Sequence, residues 1–137
     1  MTKLAKKFEE LECWKEARNL VKLVYQATQE QPFSKDFGLK EQIQRASVSV
    51  MANAAEGFNS FSRIEFVRFL RIALRSSTEV QSHLYVALDV GYLGQENFNR
   101  IKQQSEKCSN FIKAFIKYLK GLLKNALFVI LAKAGIQ

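Results

Sequence analysis

The 137-residue sequence predicts a single all-α domain, an antiparallel up-down four-helix bundle that assembles into a homo-oligomer. Three observations carry this. One proline, Pro32, and six glycines leave little of the punctuation a turn-rich β protein needs, and an apolar fraction of 47% argues against disorder. Apolar residues recur at helical spacing over four long segments joined by short polar links. The apolar arc of the fourth segment is about 160° wide, against about 100° for an ordinary bundle face, which asks for a second subunit. A chain of this length buries roughly two-thirds of its unfolded surface.

Helix 1 is expected from about Lys7 to Gln29, with Phe8, Leu11, Trp14, Ala17, Val21, Val24 and Thr28 on one face, and Pro32 stops it. Trp14 lies on the apolar stripe and reads as a core anchor rather than a stacking platform. Lys15, Arg18 and Lys22 share the outer face with Glu12 and Glu16, a mixed-charge, solvated surface.

A link from Gln31 to Phe37 leads to helix 2, Gly38 to Gly57, GLKEQIQRASVSVMANAAEG. Leu39, Ile43, Ala46, Val50, Asn53 and Gly57 fall on one side of it, and Ala46, Ser47, Ser49, Ala52, Ala54 and Ala55 keep it thin. Asn53 thus points toward the core, where an unpaired amide costs a few kcal/mol. A buried polar network of Arg45, Asn53, Glu56 and Glu79 is the expected remedy. The same residues read as a catalytic site would need a nucleophile or metal, and the sequence offers neither.

Gly57 closes helix 2, and Ser62-Arg63-Ile64-Glu65 forms a capping box that opens helix 3. Helix 3 runs to about Tyr92 and buries Phe66, Phe69, Leu70, Ala73, Ser77, Val80, Leu84, Ala87 and Leu88. Gly91 and Gly94 bracket the next turn, and helix 4 follows from about Gln95 to Leu123. Phe58 and Phe61 in the connector have no place in one bundle's core. With Phe111 and Ile116 they form the expected oligomer interface, a local lid over the bundle end being the alternative. Residues 1–124 make the bundle, and 125–137 an appendage expected to fray, the alternative being that it extends helix 4 and adds apolar surface to an oligomer.

From Asn97 onward there are eight basic residues and one acid, so nearly all of the net charge of +8 belongs to helix 4 and the tail. Lys113, Lys117, Lys120 and Lys124 fill a narrow arc opposite the apolar side. On helix 3, Arg68, Arg71 and Arg75 share about 60° of arc, and Thr78 and Ser82 continue that face. Guanidinium groups and hydroxyls together suit phosphate oxygens, so the two stripes are the candidate surface for RNA or DNA. The competing reading is plain solvation of a basic bundle.

Helix 2 also carries a resemblance. Gly38-Leu39, Gln42-Ile43, Arg45-Ala46, Ser47, Ser49 and Asn53 to Gly57, with the Trp-bearing first helix and FVRFLRIALRSSTEV after it, are similar to the bacterial four-helix bundle family first met in intervening sequences of 23S ribosomal RNA genes. That family includes the accessory protein of diversity-generating retroelements. The similarity spans roughly Phe8 to Leu122, with Gln44 where relatives carry the first Arg of an Arg pair and Met51 where they carry Pro. The resemblance implies a barrel-like homopentamer associated with nucleic acid, and a reverse transcriptase as a candidate protein partner. The terminal VILAKAGIQ resembles the translated end of a repetitive bacterial element instead.

Catalysis is not expected. His83 is the sole histidine, so a ribonuclease would have to be built on it alone, and Glu79 with His83 makes only half of a metal pair. No phosphate loop, zinc-spaced cysteine set or nucleotide fingerprint occurs, and no cofactor or metal is expected. Cys13 and Cys108 read as small buried thiols of a cytoplasmic protein. The basic Met1 to Lys7 is followed by FEELE rather than an apolar run, so no secretory signal is expected. The longest apolar run near the C-terminus, Ala126 to Ala132, is far short of the roughly 20 residues of a membrane span. The functional expectation is a non-catalytic, oligomeric nucleic-acid-binding protein; the alternative is a scaffold that recruits a protein partner through Phe58, Phe61 and the apolar side of helix 4.

Overall fold

A computed structural model describes residues 5–135; the first four residues of the basic start and the last two of the appendage lie outside the described residues. Four helices make up the chain: α1 (Glu12–Gln29), α2 (Phe37–Phe58), α3 (Arg63–Asp89) and α4 (Gln95–Lys133). Each packs on two neighbours, α1 on α2, α2 on α3, α3 on α4 and α4 back on α1, so the helices stand at the corners of a square. No strand occurs among the described residues.

Helix 1 starts later than its periodicity suggests. Leu11 is extended (φ −71°, ψ 127°), which separates a 3-10 turn at Phe8–Glu10 from α1. The bend lets Leu11 stay buried while Phe8 turns back onto Trp14, ring centroids 5.2 Å apart. Past Pro32 a second 3-10 turn, Phe33–Lys35, drops Phe33 fully into the core. Phe33 stacks on Tyr92 at 5.2 Å, and the Tyr92 hydroxyl donates to Asp36 at 2.9 Å. Asp36 also caps α2, accepting from the Leu39 amide at 3.1 Å. One acid thereby joins the α1–α2 link to the α3–α4 link.

In α2, small residues face the core, with Ala46, Ser47, Val50, Ala54 and Gly57 all buried. Gly57 does not stop the helix, which continues to Phe58; it permits contact. A Cβ there would lie 2.8 Å from the Phe66 ring and 2.9 Å from Cβ of Phe69. Ser62 caps α3 by accepting from the Glu65 amide at 3.1 Å, while the Glu65 carboxylate turns to Arg68 rather than completing the box. α3 ends at Asp89, three residues before its expected end, because Gly91 adopts φ +84° and the Tyr92 amide returns to the Ala87 carbonyl.

Every helix interface carries its own polar contact. Gln44 donates to Thr28 between α1 and α2 at 2.9 Å, and Ser49 meets Ser76 between α2 and α3 at 2.8 Å. Ser77 meets Ser105 between α3 and α4 at 2.8 Å, and Gln104 donates to Glu16 between α4 and α1 at 2.9 Å. Cys13 and Cys108 are free, buried thiols. α4, at 39 residues and about 58 Å, is far longer than its neighbours and runs unbroken through Lys133, so residues 125–133 extend the helix rather than fray.

Candidate nucleic-acid interface

Lys113, Lys117, Lys120 and Lys124 of α4 are exposed, and none of the four forms an ion pair among the described residues. From Lys113 to Lys124 they cover about 17 Å of helix at one-turn intervals. Two of the three basic residues nearer the start of α4 differ: Lys102 pairs with Glu106 at 3.2 Å and Lys107 with Glu16 at 3.5 Å, while Arg100 is exposed and unpaired among the described residues. Uncompensated charge on α4 is therefore concentrated in its second half.

On α3, Arg68, Arg71 and Arg75 are all exposed but not equivalent. Glu65 grips Arg68 with contacts of 3.0 to 3.3 Å, and the guanidinium lies over the Phe69 ring at 4.6 Å. That hydrogen bond raises the Arg68 pKa further, so Arg68 is an engaged cation. Arg71 and Arg75 form no ion pair among the described residues. Thr78 back-bonds to the Leu74 carbonyl at 3.3 Å, and Ser82 is exposed.

Helix geometry relates the two stripes. Ser109 faces α3, its hydroxyl donating to Ser77 at 2.9 Å, whereas Gln104 and Lys107 face α1. Lys113 lies about 40° from Ser109, and Lys120 about 20°, so the lysine stripe leans toward α3. Arg71 and Arg75 lie on the outer side of α3, about 120° and 160° round from Ser77, at the height of residues near 107–111. The two stripes share the outer surface of the α3–α4 pair end to end: Arg75 and Arg71 lie level with the part of α4 before Lys113, Arg68 is level with Lys113, and the later lysines stand by the start of α3 and beyond it.

The expected network of Arg45, Asn53, Glu56 and Glu79 does not form. Arg45 reaches only Glu41 at 4.0 Å, Glu79 pairs with His83 at 3.1 Å, and Glu56 is exposed. Asn53 sits about 60° off the centre of the buried stripe, a place held by Ala54, and its amide is satisfied within α2 by the carbonyl and hydroxyl of Ser49 at 2.9 and 3.0 Å. The buried polar cluster is instead Ser77, Ser105 and Ser109, with Gln81 donating to Ser105 at 3.1 Å. Sequence reading placed Ser77 in the core but missed its two partners. Their signal is a helical spacing of four, Ser105 to Ser109, among apolar residues of α4.

Phe58, Phe61 and Phe111 gather around an open apolar groove of about 820 Å³ at the end of the bundle where α2 turns into α3. Phe115, Tyr118 and Leu122 form its α4 wall. Phe61 is fully exposed, and Phe58 is half-buried against Phe66 at 6.1 Å. Ile116 is partly buried and does not line the groove. No cluster of three His, Cys, Asp or Glu suited to a metal occurs among the described residues. No described helix is long and apolar enough to cross a membrane.

Residues 9–114 match the family described as 23S rRNA-intervening sequence protein. The chain belongs to that family. A solved relative from Bacteroides thetaiotaomicron, described as a protein of unknown function from the S23 ribosomal protein family, shares the fold at a TM-score of 0.71. It is 24% identical, and the alignment covers 77% of this chain and 95% of the relative. No curated protein matches. The family segment of this 23S rRNA-intervening sequence protein takes in α1 to α3 and the first half of α4, and stops just past Lys113. The remaining lysines and the distal part of α4 lie beyond it.

Proposed function

We propose that this 23S rRNA-intervening sequence protein is a non-catalytic, self-associating cytoplasmic bundle that binds RNA or DNA through phosphates. The observation that carries the reading is the outer α3–α4 surface, along which Arg75 and Arg71 and then Lys113, Lys117, Lys120 and Lys124 follow one another with no acid paired to any of them among the described residues. A solvated surface is usually laced with opposite charges, as the first half of α4 is. Six uncompensated cations instead suit a polyanion, read by charge and largely blind to sequence. Assembly into a ring, for which the family resemblance implies five copies, would repeat the face and multiply its attraction.

Fluorescence anisotropy of labelled RNA and DNA, single- and double-stranded, titrated with nuclease-treated protein at several salt concentrations, tests this. Six phosphate contacts give a slope of about −5 in log affinity against log salt on duplex. Reversing the four lysines to Glu abolishes binding with helicity intact. Salt-independent affinity, or binding unchanged by the reversal, overturns the reading.

A second reading has its own observation, the apolar groove around Phe58 and Phe61. A protein partner such as a reverse transcriptase would dock there, and a complex that survives nuclease treatment but not Phe61→Glu would favour it.

A further inference from the structure

α4 outruns its own bundle. It lies antiparallel to α3, and Phe66 near the start of α3 meets Phe115 of α4 at 5.1 Å, so α3 begins at the height of Leu119 to Leu122. Beyond that point α4 has no neighbour among the described residues, and Leu127, Phe128, Val129 and Ile130 are all 49% exposed or more. Ala126 to Ala132 is an unbroken apolar run, so apolar side chains cover every side of the overhang. A surface helix keeps a polar face; one apolar all round is a helix that ends up surrounded.

The molecule carries a surface that fits it. The groove at the foot of the overhang runs along α4 from Phe111 to Leu122, about 17 Å, and the overhang from Leu122 to Lys133 is also about 17 Å. The groove is apolar and aromatic inside, with Glu10, Glu12 and Arg63 as its charged lining residues; the overhang is apolar between Lys124 and Lys133. A continuous helix carries the overhang away from its own groove, so the groove it can enter is that of another copy.

We infer that the α4 overhang seats in the groove of a second copy, antiparallel to that copy's α4, and that the second copy's overhang seats reciprocally in the first. Pairing about a centre near Leu122 brings Lys133 to the height of Phe111 and Glu12, and Phe128 and Val129 to the height of Phe115. A two-fold contact of this kind closes on itself. It uses the α1 side of α4 and leaves the lysines, on the α3 side, open to solvent. The inference rests on the self-association proposed above and adds to the ring a two-fold contact that pairs its copies with those of a second ring. The overhang lies beyond the residues shared with the family, so this device belongs to this chain.

Light scattering of the full chain against a chain ending at Lys124 tests it. The full chain is expected to have twice the mass of the truncated one, both retaining cooperative unfolding, since residues 125–133 are exposed and leave the core intact. Phe61→Glu, at a fully exposed groove position, halves the mass in the same way. A photoreactive phenylalanine analogue at position 128, in a mixture of isotopically labelled and unlabelled protein, attaches to groove peptides of the other copy. Equal, multimeric masses for both chains overturn the overhang contact and leave self-association standing. Monomers throughout overturn both, and attachment outside the groove overturns the docking site.

Discussion

Gly57 shows how one residue sets the distance between two helices. An alanine would gain at most about 1 kcal/mol of helix propensity at this position in the last turn of α2. Its Cβ would also press on Phe66 at 2.8 Å and on Cβ of Phe69 at 2.9 Å, and the second of these is anchored to the backbone of α3. Overpacking against an anchored atom costs about 1–3 kcal/mol and outweighs the gain. Gly57→Ala is expected to lose about 1–2 kcal/mol in urea unfolding. Gly121→Ala, with nothing within 4 Å of the new Cβ, is expected to gain about 1 kcal/mol in the same assay. Sequence reading placed Gly57 on the core face but took it for a stop signal, because close approach between helices leaves no local mark.

At the scale of the element, the helices were legible from periodicity. Leu39, Ile43, Ala46 and Val50 are buried as their spacing requires, and Trp14 is a core residue. What periodicity could not resolve was the edge of a stripe. Asn53 falls there, and a partner four residues back in its own helix satisfies it without any long-range network. Contacts between helices depend on relative rotation and height, which one helix's pattern does not contain. The serine cluster between α3 and α4 is such a contact. Ser77→Ala removes the acceptor of the buried Ser109 hydroxyl and one partner of Ser105, and is expected to cost about 1–2 kcal/mol by chemical denaturation. Ser76→Ala, on the less enclosed pair with Ser49, is expected to cost less than about 1 kcal/mol.

For the whole molecule, the basic face was half legible. Sequence counts located the charge on helix 4, but not which cations are neutralised across helices; Lys107 meets Glu16 from a helix ninety residues earlier in the chain. The buried thiols give the molecule a pH signature. Burial, the largest cause in each case, pushes the Cys13 thiol up to about 11 and Cys108 to about 12, from an ordinary value of 9.0. The folded state therefore holds these protons more tightly than the unfolded chain. The resulting stability is fully present below pH 9.0 and is lost as the pH rises toward the folded values. The urea midpoint is expected to fall between pH 9 and pH 11, and to fall less in the Cys13→Ala/Cys108→Ala double variant.

The bond from Tyr92 to Asp36, beneath which Phe33 is stacked, fastens the two links at one pole of the bundle to each other. At the other pole the single link between α2 and α3 stands beside an open groove, and its side-chain hydrogen bonds among the described residues stay within the link and the adjoining helix ends rather than reaching α4. Breathing of the isolated subunit therefore begins at the groove pole, where the helix ends can part while the fastened pole stays shut. A partner entering the groove meets the most yielding part of the molecule and stiffens the end that the fold itself leaves loose.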